Sequence, residues 1–278
     1  MKNSPCILIA GAHGFLGARA MERYPSAIGV DSALLRNPGE ELRAFVRTHR
    51  PELILNAAAI SDIGACEQDP EGSYRANVIL PVTLAQAAQE VGAKLVSFSS
   101  DQVYTGCEEA GPYAEGQNLP EPANRYARQK LEAEQRVLDI HPDGVMLRAT
   151  WMYDMPLYAH PNRGNFLVNT MKAVGQGRPV RVPGGQYRGI TYVRQVVENL
   201  DAAFNLPGGV YNYGSENPLT MLETAEALLR TLDLKGTVED TGERRHNLWM
   251  DCGLLRQSGI HFDTTAEGFA RCGRDYAL

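Results

Sequence analysis

The chain has 278 residues, 44% hydrophobic and 22% charged, a composition that suits a globular protein with a large core and excludes a disordered or fibrous one. Its net charge of −6 leaves no global electrostatic footprint for nucleic acid or an anionic membrane, so any phosphate it binds must be held by a local device. Five cysteines form no CxxC and no metal-ligand spacing, and six histidines are scattered; neither a metal site nor a disulfide framework is expected, and a reducing cytoplasm is the simplest home.

The first apolar run, "CILIA" at 6–10, leads directly into "GAHGFLG". Gly11, Gly14 and Gly17 recur at three-residue intervals between a predicted strand and a predicted helix over 15–24. Glycines there allow a tight turn and close backbone approach to a pyrophosphate, whose charge meets the free N–H groups of the helix start. The expected cofactor-lining residues are Gly11, Gly14, Phe15, Leu16 and Gly17; His13 is read as an ordinary loop residue. The spacing is G-x-x-G-x-x-G, which departs from the usual dinucleotide fingerprint.

The second run, 27–30, ends at Asp31, 20 residues after Gly11. An acid there accepts hydrogen bonds from adenosine ribose hydroxyls and repels a 2′-phosphate, which favours NAD(H), with NADP(H) as the second option because Arg19 and Arg36 could compensate. After a predicted helix over 40–49, the third run, 52–56, ends in "NAAAIS". Small residues at a strand's carboxyl end leave room for a ligand, so Ala57, Ala58, Ala59 and Ser61 join the cofactor-lining set; helix packing would choose alanines equally well.

A helix predicted over 71–91 precedes the fourth run, 94–99, which delivers Ser99, Ser100 and Asp101 to the same sheet edge. Asn77, inside that helix, is read as structural. The next predicted helix, 122–140, contains Tyr126 with Lys130 four positions on, the one such pair among twelve tyrosines. On a wheel of about 100° per residue, Ala133, Val137 and Lys130 fall within about 40° of Tyr126. Arg128, Gln129, Glu132, Gln135, Arg136 and Asp139 lie opposite. Tyr126 and Lys130 therefore face inward, where a cation needs a reason to be; Glu134 shares that arc.

A fifth run, 145–150, ends at Trp151, whose indole offers a flat stacking face. Strands alternating with helices to this point predict a doubly wound α/β fold with a parallel sheet. Beyond it the rhythm loosens: a Pro/Gly-rich stretch at 156–164, helices near 165–175, 192–205, 219–231 and 264–271, and a strand at 209–213. We expect a dinucleotide-binding Rossmann domain over 1–151 and a smaller mixed α/β substrate lobe over 152–278, with strands around 187–214 open to rejoining the first sheet.

Taken together, the glycine loop, the serine at the fourth strand end and Tyr-x-x-x-Lys resemble the extended short-chain dehydrogenase/reductase family. "NAAAISDIGACE", "SSDQVYTG", "NRYARQKLEAE", "RATWMY" and "GNFLVNTM" resemble its dTDP-4-dehydrorhamnose reductase branch. The resemblance covers most of the chain and loosens after about residue 215. It implies a cytoplasmic NAD(P)H-dependent reduction of a 4-keto nucleotide sugar, with Ser100, Tyr126 and Lys130 catalytic. It also implies that Lys130 holds the nicotinamide ribose, that Asp101, Gln102 and Trp151 meet the sugar nucleotide along with Ser100 and Tyr126, and that the chain forms a homodimer.

Related dehydratases carry an acid–base pair where this chain has Asp101 and Gln102, and an amide cannot act as a base, which disfavours dehydration. Asp101 alternatively caps a turn, and Trp151 alternatively packs in a core. Asn165, Phe166, Arg188 and Thr191 are candidates for the sugar-nucleotide lobe, Thr191 being read first as the cap of the helix after it. Two competing functions are a non-catalytic nucleotide-binding subunit, as the regulatory subunit of methionine adenosyltransferase has this fold, and a sugar-nucleotide epimerase.

Overall fold

The structure, a computed structural model, describes residues 5–156, 164–243 and 246–277. The chain begins β1 (Ile7–Ala10), α1 (Phe15–Arg23), β2 (Ile28–Gly29), α2 (Ser32–Arg36), α3 (Glu40–His49), β3 (Leu53–Asn56), α4 (Ile63–Gln68) and α5 (Pro70–Tyr74). A π-helical turn (Arg75–Ile79) leads into α6 (Leu80–Val91), followed by β4 (Lys94–Ser100), a 3₁₀ turn (Asp101–Gly106), α7 (Arg125–Ile140) and β5 (Val145–Ala149). The remainder holds β6 (Trp151–Tyr153), α8 (Phe166–Gly175), β7 (Val180–Val182), β8 (Tyr187–Arg188), β9 (Ile190–Tyr192), α9 (Val193–Glu198), α10 (Leu200–Ala203) and β10 (Gly209–Tyr213). It ends with α11 (Met221–Thr231), β11 (Val238–Asp240), β12 (Asn247–Leu248), α12 (Gly253–Gln257) and α13 (Thr265–Asp275).

Six strands form the central sheet in the order β10-β5-β4-β3-β1-β2. The pairs β1–β2, β1–β3 and β3–β4 are parallel, with Ile7 opposite Leu53 and Leu53 opposite Lys94. β1 is buried at every position and β4 at all but its first residue, as expected of parallel strands covered on both faces. Chain contacts divide the molecule into two compact units, Met1–Val103 with Glu121–Arg148 and Leu200–Tyr211, and Tyr104–Pro120 with Ala149–Asn199 and Asn212–Leu278.

The core of the first unit packs Leu8, Ile54 and Leu95 of the sheet against Leu42 and Val46 of α3, Leu84 and Ala88 of α6, and Val137 of α7. α6 stops where Gly92 takes the left-handed conformation at φ 73°, a backbone state that costs glycine little. The second unit gathers Tyr153, Tyr192, Leu228 and Phe269 into its own core. Capping boxes, Thr220 with Glu223 and Thr264 with Glu267, start α11 and α13. Among the described residues no helix is long and apolar enough to cross a membrane.

The doubly wound sheet expected from the sequence is present. The helix predicted over 71–91 is divided into α5, the π turn and α6. Proline at 81 has no N–H to give the carbonyl of Asn77, so the regular ladder cannot pass through this point. Of the Pro/Gly-rich stretch at 156–164, residues 157–163 lie outside the described residues.

Candidate active site

The glycine loop is shaped by backbone crowding. Gly11 has φ 83°, and a Cβ on it would stand 2.8 Å from the Ala58 nitrogen; a Cβ on Gly17 would stand 2.0 Å from the Gly11 carbonyl oxygen. The backbone of Ala57 and Ala58 thus lies against the turn, both residues being half-buried, while Ala59 and Ser61 are exposed. Gly14 caps α1 without a side chain, so the first N–H groups of that helix meet no capping oxygen from it. Phe15 gives its carbonyl to Arg19 Nη1 at 2.7 Å and its ring to the same guanidinium at 4.2 Å; Leu16 is buried.

Asp31 is exposed and caps α2, an element the sequence reading did not anticipate, by accepting the Ala33 N–H at 2.6 Å. Arg36 donates to Ser32 Oγ on that same short helix. At the end of β3, Asn56 accepts the Ala58 N–H and donates to Ser97 Oγ at 2.9 Å. Asn77 pins the loop beyond, accepting the Ile60 N–H at 3.0 Å and donating to the Ile60 carbonyl at 2.9 Å.

α7 begins where Asn124 accepts the Ala127 N–H at 2.9 Å, and it presents Tyr126, Lys130, Ala133, Glu134 and Val137 to the interior. Lys130 is only 3% exposed. Its ammonium donates to the Phe98 carbonyl at 2.9 Å and lies 5.9 Å from the centre of the Tyr126 ring. Burial pushes Lys130 down to about 8, against the opposing pull of Glu134 and Cys66. A lysine so placed changes charge well below its usual 10.4 or so and still carries its proton at neutral pH.

Gln129 corrects the wheel. Expected on the solvent side, it is buried, donating to Ser73 Oγ at 3.0 Å and accepting from Asn77 Nδ2 at 2.9 Å. α7 packs on β4 and also on α4, α5, α6 and the π turn, so its buried arc is wider than that of a helix lying on one layer.

Ser100, Asp101 and Gln102 are all buried where β4 gives way to the 3₁₀ turn. The Ser100 hydroxyl donates to Asp101 Oδ1 and accepts the Gln102 N–H, both at 3.2 Å. The Gln102 side-chain oxygen accepts from Asn124 Nδ2 at 3.1 Å, which ties this corner to the start of α7.

In the second unit, Trp151 is 45% exposed, so it is not a core tryptophan. The Arg188 guanidinium stacks 3.6 Å from the centre of its ring, a cation–π contact. Thr191 does not cap the following helix, which starts from Tyr192 without a side-chain cap. Instead it bonds Thr150 Oγ1 at 2.5 Å and accepts the Ser215 N–H at 2.7 Å. Asn165 caps α8 by accepting the Val168 N–H.

Sequence reasoning passed over Arg148, which meets Glu134 in the interior together with Ser99, expected at the sheet edge: Arg148 Nη2 donates to Glu134 at 2.7 Å and Ser99 Oγ at 2.5 Å. An arginine in the apolar run "VMLRA" was the available signal, since a charge in a buried strand requires a partner.

A family model described as the RmlD substrate binding domain matches residues 5–245. The chain belongs to this family. Among RmlD-family relatives, the dTDP-4-dehydrorhamnose reductase of Mycobacterium tuberculosis is 32% identical over 233 residues, covering 80% of this chain and 74% of that protein. Methionine adenosyltransferase 2 subunit beta of Xenopus tropicalis is 26% identical over 279 residues, covering 91% and 82%. The crystal structure of dTDP-4-dehydrorhamnose reductase from Bacillus anthracis, in complex with NADP, superposes with a TM-score of 0.86 at 24% identity over 99% of both chains. This RmlD-family chain therefore shares the fold of that protein.

Proposed function

We propose that the chain reduces the 4-keto group of a nucleotide-activated deoxysugar with NAD(P)H, dTDP-4-dehydro-L-rhamnose giving dTDP-L-rhamnose. The observation that carries this reading is the buried Lys130 ammonium, one helical turn from Tyr126 on the inner face of α7. The glycine loop fits a dinucleotide, because its three glycines leave backbone, not side chains, at the start of α1, where an anion is favoured. When bound, the nicotinamide supplies hydride to the carbonyl carbon.

Tyr126 donates its phenolic proton to the carbonyl oxygen. Lys130 stabilises the phenolate left behind and so brings the phenol closer to neutral pH; it also holds the nicotinamide ribose. Ser100 turns its hydroxyl from Asp101 to the carbonyl oxygen and orients it. The Gln102 amide is too weakly basic to take a proton, so elimination of water has no base beside Asp101. The exposed carboxylate of Asp31 favours NADH over NADPH, and the indole of Trp151, which is exposed, stacks on the sugar or base.

The test is the oxidation of NADH and NADPH, followed by absorbance, against dTDP-4-dehydro-L-rhamnose and a panel of other keto-sugar nucleotides. Multiple turnovers with added NADH, faster than with NADPH, are expected. Dinucleotide binding without any turnover would favour the non-catalytic reading, which the likeness to a methionine adenosyltransferase subunit keeps specific.

A further inference from the structure

Behind Lys130 lies a charge pair that the proposed reaction does not use. Glu134 follows Lys130 by one turn of α7 and is as deeply buried. Its carboxylate accepts from Arg148 Nε at 3.0 and 3.2 Å, from Arg148 Nη2 at 2.7 Å and from Ser99 Oγ at 2.5 Å. The side chains of the two ions are only 4% and 3% exposed. A pair this dry is a weak source of stability, because apolar side chains of the same volume commonly hold a helix to a sheet as well or better. The bonds from three donors do something apolar groups cannot: they hold a carboxylate in one place.

That place is beside a third charge. The groups that act on the Lys130 ammonium are Glu134 on its own helix and Cys66 of α4, with the Tyr126 ring 5.9 Å away. β4 offers it the neutral carbonyl of Phe98, and Arg148 of β5 engages both oxygens of Glu134. The π turn brings the amide of Asn77, which donates to Cys66 Sγ and to Gln129. Glu134 is thus the fixed anion that opposes the desolvation of Lys130.

We propose that Glu134, clamped by Arg148 and Ser99, is a positioning residue that keeps Lys130 charged where Tyr126 needs it. The proposal rests on the reading of Lys130 as the partner of Tyr126. Its test is the titration of Lys130 in the ligand-free protein, read from 13C-labelled lysine by NMR and assigned with Lys130→Met; the five lysines make the spectrum simple. Glu134→Gln combined with Arg148→Met removes both members of the pair, so no guanidinium is left without its carboxylate and Lys130 alone loses its anion. The Lys130 midpoint should fall by about one pH unit, the lower end of what a close opposite charge contributes. The alkaline limb of kcat/KM should move down with it.

Where that variant does not fold, Glu134→Leu with Arg148→Met fills the space with apolar atoms and gives the same reading. Glu134→Asp, which keeps the charge, should hold the midpoint near its original value. A midpoint that stays put in the charge-free variants while Tm falls overturns the proposal, because the pair then serves only to hold α7 on the sheet. A midpoint that falls in a chain that reduces no keto sugar supports the proposal and overturns the reductase reading alone.

Discussion

The glycine loop and the inner face of α7 deal with charge by opposite means. Between Gly11 and Gly17 there is no lysine or arginine, and the loop is defined by what it lacks: a methyl group on Gly17 would collide with the Gly11 carbonyl. Around Lys130 the interior contains an ammonium, a guanidinium and a carboxylate, each with named hydrogen-bond partners. A phosphate is a ligand that arrives with its charge, so fixed N–H dipoles suffice to receive it. A proton donor must have its acidity set before the substrate arrives, and only fixed charges close by do that in a dry interior. The first region should therefore fail through shape and the second through charge.

The sharpest separation comes from Tyr126→Phe, which removes one oxygen and leaves the ring in place. Turnover should fall by about 10²–10⁴-fold, the usual contribution of a positioned acid, while dinucleotide affinity measured by calorimetry stays within about twofold. Gly17→Ala should do the reverse. The added methyl group meets backbone at 2.0 Å, a strain of about 1–3 kcal/mol, so dinucleotide Kd should rise about 10- to 100-fold. Gly39→Ala is its control, because nothing lies within 4 Å of a Cβ there, and it should bind as the unaltered chain does. If Gly17→Ala binds normally, the loop is not the phosphate site.

The same contrast explains how much was legible in the sequence. The strands and longer helices of the first unit follow local periodicity, and the glycine spacing and the Tyr126–Lys130 interval are local too, so these could be read along the chain; the short α2 and α4 were not. Gln129 was misplaced because its burial comes from helices packing on the far side of α7, which one helix's own pattern does not contain. Thr191 resembles a cap because a helix starts two residues later, yet its partners are Thr150 and Ser215, distant in sequence. The π turn was hidden for a related reason: Pro81 sits at the start of α6, where proline is ordinarily harmless, and its effect falls on the turn before. Arg148 and Glu134 lie fourteen residues apart, and each signals only that a buried charge wants a partner, not which one.

The central claim is that a buried ammonium sets the acidity of the Tyr126 phenol, and the pH dependence of kcat/KM tests it most directly. Below about 8 Lys130 carries its proton, and as pH rises through that value the charge is lost and the phenol becomes a poorer donor. The reduction rate should therefore show an alkaline limb centred near pH 8. A profile that stays flat until the range of an ordinary tyrosine or lysine, about pH 10, would contradict the account.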